Sequence, residues 1–158
     1  MDGGMLTEEV RAEIAAQIQK YDHKRAGSVE ALKIVQKHHG WLSDEHLRDV
    51  ARLLDMTPDE LDAVATFYSL IFRRPVGRHV ILICDSVTCW IMGYEKILAR
   101  LKNSLGIELG ETTPDGRFTL LPVACIGLCD HAPALIIDND IHGDLDEEKI
   151  DDILSRYV

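Results

Sequence analysis

The hydrophobic period of this chain changes once, and that change limits what it can fold into. Up to about residue 72 the apolar residues recur at helical spacing; from residue 79 they form short continuous runs of strand character. Leu6, Val10, Ile14, Ile18 and Tyr21 lie four or three apart and so share one helical face. Gly27 and Ser28 open a second helix, with Ser28 as its cap, Val29, Leu32 and Val35 facing inward, and Gly40 as its end. Ser43 starts a third, between Leu42 and Leu47 at the positions of a hydrophobic staple. Thr57-Pro58-Asp59-Glu60 reads as a capping box with proline at the first helical position. The helix it opens runs through Val64, Phe67 and Tyr68 until Pro75 and Gly77 stop it, and amphipathicity puts Phe67 and Tyr68 in the core. A helical bundle over residues 1–76 is the expectation.

The remainder alternates. His79–Cys84 (HVILIC) has the apolar continuity of a strand buried on both faces. Residues 94–105 predict a helix with Ile97, Leu98, Leu101 and Leu105 inward, closed by Gly106. Residues 118–123 (FTLLPV) and 134–138 (ALIID) predict two more strands, and Asn139-Asp140 turns into a short fourth around Ile141. Residues 146–157 predict a last helix with acids in its first turn, where the helix dipole favours them. The order β-α-β-β-β-α over residues 77–158 is that of a thioredoxin-like α/β domain whose crossover helix joins two parallel strands. The fold class is therefore α+β.

With 158 residues the chain buries a core without covalent staples, so its cysteines are not needed to hold a small fold together. A net charge of −10 repels phosphate backbones and argues against nucleic-acid binding. No basic cluster suits an anionic membrane surface, and no apolar run approaches the roughly 20 residues of a span. Residues 1–9 lack the basic flank and apolar stretch of a secretory signal, so the expectation is a reducing compartment, where disulfides are rare.

All four cysteines lie between residues 84 and 129, as C-x4-C, a 35-residue gap, and C-x3-C. Cys84 ends one strand and Cys89 stands just before a helix; Cys125 and Cys129 lie in the loop after another strand. Two strand-end loops on one sheet edge can bring four thiolates to one metal site. Zinc favours C-x2-C knuckles, whereas a [2Fe–2S] unit takes two thiolates per iron and is wide enough for looser loops. Spacing leans towards iron–sulfur and leaves zinc open. The C-x-x-C of a dithiol oxidoreductase is absent. The plainer alternative, four inert buried cysteines, sits badly with two close pairs, both at strand ends.

Around these cysteines, Gly127 permits a positive φ that turns backbone N–H groups towards sulfur, although it also suits a plain tight turn. Ser86 and Thr88 are candidate donors to sulfur, and the helix after Cys89 would aim its positive end at the site. His131 is a candidate modulator, with ligation disfavoured once four cysteines suffice. His38, His39 and His46 lack metal-ligand spacing and read as solvated helix-end residues. Pro133 stands before a strand, where thioredoxin folds place a cis proline. The acidic residues 144–152 suit a solvated face or a docking face.

Segments 28–37 (SVEALKIVQK), 64–69 (VATFYS), 75–89 (PVGRHVILICDSVTC), 110–121 (GETTPDGRFTLL) and 125–133 (CIGLCDHAP) together resemble a known family. It is the family of the thioredoxin-like [2Fe–2S] subunit of bacterial respiratory complex I, an NADH-quinone oxidoreductase. The resemblance implies one [2Fe–2S] cluster on Cys84, Cys89, Cys125 and Cys129. It further implies a larger flavoprotein partner holding FMN, NADH and a [4Fe–4S] cluster, and other peripheral-arm subunits. The chain would then be a one-electron carrier, cytoplasmic and peripheral on the inner face of the plasma membrane through the complex. Without a G-x-G-x-x-G fingerprint it is not expected to bind NADH or to turn over alone. Ile91, Met92, Leu128 and His131 are departures beside intact ligand positions. The alternatives are the equivalent subunit of a soluble NAD-linked hydrogenase or formate dehydrogenase, and a structural zinc module.

Overall fold

The computed structural model describes residues 6–158, and the chain divides into two compact units after Pro75. The first five residues of the segment read for a secretory signal lie outside the described residues. The first unit contains α1 (Glu8–Ile18), a 3₁₀ turn (Lys24–Gly27), α2 (Ser28–His39), α3 (Asp44–Leu54) and α4 (Pro58–Phe67). The expected apolar faces meet in one core built around Val10, Ile14, Leu32, Val35, Val50, Leu54 and Leu61. Fully burying each aliphatic side chain contributes about 1.5–3 kcal/mol before chain entropy is counted.

Thr57 caps α4 by accepting from the Glu60 N–H, while the Glu60 carboxylate accepts from the Thr57 N–H at 2.8 Å. Ser43 caps α3, with Leu42 and Leu47 both buried. Its reciprocal partner is His46, whose Nδ1 accepts from the Ser43 N–H at 3.3 Å. His46 is thus buried, not solvated, and its ring lies 4.3 Å from that of His39. A buried carboxylate, Asp49, accepts from the Leu6 N–H and pairs with Arg11 and Arg52.

Three expectations fail here for local reasons. Ser28 is the first helical residue, buried, because the preceding 3₁₀ turn makes Gly27 the cap. Helix α1 stops at Ile18, so Tyr21 leaves the shared face and is exposed. Phe67 is 81% exposed and Tyr68 44% exposed, because α4 ends at Phe67 and Tyr68 is already extended.

The second unit contains β1 (His79–Cys84), α5 (Val87–Ile91), α6 (Tyr94–Leu105), β2 (Phe118–Val123), β3 (Leu135–Ile137), β4 (Asp140–His142) and α7 (Glu147–Leu154). The sheet order is β2-β1-β3-β4, with β1 parallel to β2 and the other pairings antiparallel. Ile81, Ile83, Phe118, Leu120, Leu135 and Ile137 from the sheet pack with Ile97 and Leu101 of α6 and Ile150 of α7. The Ala132–Pro133 peptide is cis. Among the described residues no helix is long and apolar enough to cross a membrane.

Strand direction positions the site. Parallel β1 and β2 finish at one edge, where Cys84 aligns with Val123. Antiparallel β3 begins at that edge, and β4 finishes there, with Leu135 opposite His142. Every segment that carries or follows a cysteine therefore leaves or enters the sheet at the same end.

Candidate metal centre

Cys84 and Cys89 are both buried, at 2% exposure each. Cys84 is held by the ladder, its N–H donating to the Ala134 carbonyl at 3.1 Å. Cys89 is not ahead of a helix, as the spacing suggested, but inside the short α5; Gly93 in the left-handed region then separates α5 from α6. The expected N-terminus of a long helix therefore does not begin at Cys89. Ala132 and Ala134 close around the two sulfurs, with Ile126 and Leu128 partly covering them. Burial pushes the Cys89 thiol up to about 11, and the neighbouring Cys84 adds to the rise, while the Ala134 N–H opposes it.

Cys125 and Cys129 are exposed, with sulfurs 3.5 Å apart. Gly127 has φ +85°, and its N–H donates to the Cys125 sulfur at 3.4 Å. That donation, followed by the hydrogen bonds from Cys129 and Ser86, holds the Cys125 thiol below its ordinary value. Cys129 is raised, first by its hydrogen bond to Cys125 and then by the charge there, with Thr88 opposing. Ser86 and Thr88, on the loop and helix between the first two cysteines, thus act to lower the thiols of the second pair. Electrostatic coupling also links Cys129 to both Cys84 and Cys89.

The four cysteines form two pairs at one end of the sheet, one inside the fold and one at its surface. Among the described residues, no three or more His, Cys, Asp or Glu side chains converge as a site for a single metal ion. Two thiols on each side, with the Gly127 N–H donating to one of the sulfurs, suit the four-thiolate donor set that a two-iron cluster takes. Both ring nitrogens of His131 face carboxylates: Nδ1 bonds Asp144 at 2.7 Å, and Nε2 lies 3.5 Å from Asp130. His38 bonds Glu13 in the helical unit. Of the acidic residues near the C-terminus, Asp146 caps α7 and Asp151 pairs with Arg100 and bonds Ser104. Sequence reading missed Ala132 and Ala134; the legible signal was two small residues flanking Pro133, beside cysteines that need space.

Residues 14–158 match the profile of the thioredoxin-like [2Fe–2S] ferredoxin family. This chain belongs to that family. The E subunit of the NADH-quinone oxidoreductase of Pseudomonas aeruginosa is 48% identical over 157 residues, 99% of this chain and 95% of the relative. The protein of the same name from Escherichia coli K12 is 49% identical over 152 residues, 96% of this chain and 92% of the relative. A solved structure of an NAD+-reducing [NiFe]-hydrogenase in its air-oxidised state aligns with a TM-score of 0.72 at 28% identity, over 83% of this chain and 22% of that one. The family membership agrees with the resemblance carried by the cysteine segments, and the mixed four-stranded sheet agrees with the expected α+β class.

Proposed function

We propose that this chain is the one-electron carrier subunit of an NADH:quinone oxidoreductase, holding one [2Fe–2S] cluster on Cys84, Cys89, Cys125 and Cys129. The observation that carries this reading is the meeting of two cysteine pairs at one end of a sheet. The names of the full-length relatives support the complex. When bound, such a cluster stores one electron, which lets a neighbouring flavin reduced by hydride be emptied in single steps.

The chain's own residues hold and tune. Cys84 and Cys89 supply the buried side of the donor set, in a pocket walled by Ala132 and Ala134. Cys125 and Cys129 supply the exposed side. The N–H groups of Gly127 and Ala134 and the hydroxyls of Ser86 and Thr88 offset charge on sulfur, which favours the reduced, more negative state. Val87, Trp90, Ile91 and Met92 are all more than half exposed, on and just beyond the helix of Cys89. An apolar patch of that kind marks a protein contact, and the proposed occupant is the FMN- and NADH-binding subunit, which also carries a [4Fe–4S] cluster. Assembly with it and the other peripheral-arm subunits would hold the chain at the cytoplasmic face of the membrane.

Affinity purification of this chain from its own cells should recover an FMN-containing partner that oxidises NADH with a quinone acceptor. Recovery of hydrogenase or formate dehydrogenase activity instead would move the reading to a soluble NAD-linked enzyme, which the hydrogenase likeness makes the runner-up. A flavin-free preparation containing zinc would overturn it.

A further inference from the structure

The exposed cysteine loop looks unsupported in sequence, yet it has a dedicated brace. After β4 the chain turns through residues 143–145 and meets the loop from below. The Asp144 N–H donates to the His131 carbonyl at 2.6 Å, and the Leu145 N–H donates to the Pro133 carbonyl at 3.2 Å. The Asp144 carboxylate bonds His131 Nδ1, while Lys149 Nζ donates to the Asp144 carbonyl at 2.6 Å and ties the corner to α7. Between these bonds sits Gly143. A Cβ there would lie 2.8 Å from His131 Cβ, 2.8 Å from Leu128 Cδ2 and 2.9 Å from the His131 carbonyl oxygen. Leu128 immediately precedes Cys129 and His131 follows it by two residues, and Leu128 also packs against the pocket of Cys84 and Cys89.

We propose that the 143–145 corner positions Cys129, with Gly143 as the residue whose missing side chain lets the corner seat Leu128 and His131. This rests on the cluster assignment above. Gly143 and Leu128 offer no ligand atom and act through the loop, as second-layer groups around metal ligands do. Losing such support weakens metal retention roughly 10- to 100-fold in other sites.

The test compares the loaded full-length chain with Gly143→Ala and Leu128→Ala. The first pushes the loop outward; the second empties the seat from the other side at a partly exposed position, where folding is less at stake. Both should change the shape of the reduced cluster's electron paramagnetic resonance signal. Both should also speed loss of iron to a chelator about tenfold or more. Ile150→Val, a small loss in the core of α7, should lower the melting temperature with an unchanged signal. Wild-type signal and loss rate in Gly143→Ala would overturn the proposal. Should Gly143→Ala fail to fold, the same wild-type behaviour in Leu128→Ala overturns it. A wild-type chain that never binds a two-iron cluster defeats the earlier reading instead, which keeps the two failures apart.

Discussion

In the proposed cluster site the two cysteine segments serve one task from opposite environments. Cys84 and Cys89 lie on a central strand and a short helix, buried among alanines. Cys125 and Cys129 lie on an exposed loop held by a glycine turn and a corner borrowed from the end of β4. The difference teaches that a site of this kind is half core and half surface. The buried half is inseparable from fold stability, and the exposed half is nearly independent of it.

The largest effect expected from that contrast concerns the four proposed ligands. Serine at any of the four positions should remove or severely weaken the cluster. In the metal-free chain the two halves should part company. Cys84→Ser or Cys89→Ser places a hydroxyl in an apolar pocket and should cost about 1–3 kcal/mol. Cys125→Ser and Cys129→Ser should stay within about 0.5 kcal/mol of wild type. Chemical denaturation of the four apo variants reads this directly, and equal costs would break the comparison.

A smaller effect tests packing around the buried half. Ala134 is 1% exposed and packs with Cys84 and Cys89. Ala134→Val overpacks that pocket and should cost roughly 1–3 kcal/mol while altering the visible spectrum of the loaded chain. Ala124→Val, at an exposed position on the other segment, should change neither.

Smaller again is the hydroxyl that joins the halves. Thr88→Val keeps shape and removes the hydroxyl that lowers the Cys129 thiol. The midpoint potential should fall, because the lost hydrogen bond favoured the reduced state. An unchanged potential in a redox titration would show that the hydroxyl does not reach the sulfur once metal is bound.

The smallest effect concerns the second unit as a whole. Burial, and then the hydrogen bond to Asp140, push the Tyr157 phenol from 10.0 up to about 12. The folded state holds this proton more tightly than the unfolded one. Its stabilisation is therefore complete below pH 10 and lost as pH rises towards 12. Tyr157→Phe should flatten that alkaline decline in thermal melts; a decline as steep as wild type would assign it to other groups.

Strand runs and the starts of α3, α4 and α6 were legible because caps and periodicity are local, whereas Ser28 is the first residue of α2 and not its cap, and Cys89 lies inside α5 and not ahead of a helix. The Thr57 box, the Ser43 cap, the apolar run ending at Cys84 and the helix at 94–105 all follow from neighbours in sequence. Helix ends were less so: Tyr21, Phe67 and Tyr68 fit an apolar face but lie at or past the last turn. His46 was misread because histidine is an unusual partner in a capping box. At the site, cysteine spacing pointed to a four-thiolate centre, while the cluster type came from the family resemblance. The alanines and the 143–145 corner stayed hidden because their roles arise from contacts between segments that pattern does not report.

What the four sulfurs hold decides what this chain does. The intact chain, purified without oxygen, should be red-brown and contain iron and acid-labile sulfide in equal amounts. It should bleach with dithionite and give a one-electron paramagnetic signal only after reduction. Colourless protein carrying one zinc per chain, silent before and after dithionite, would contradict it.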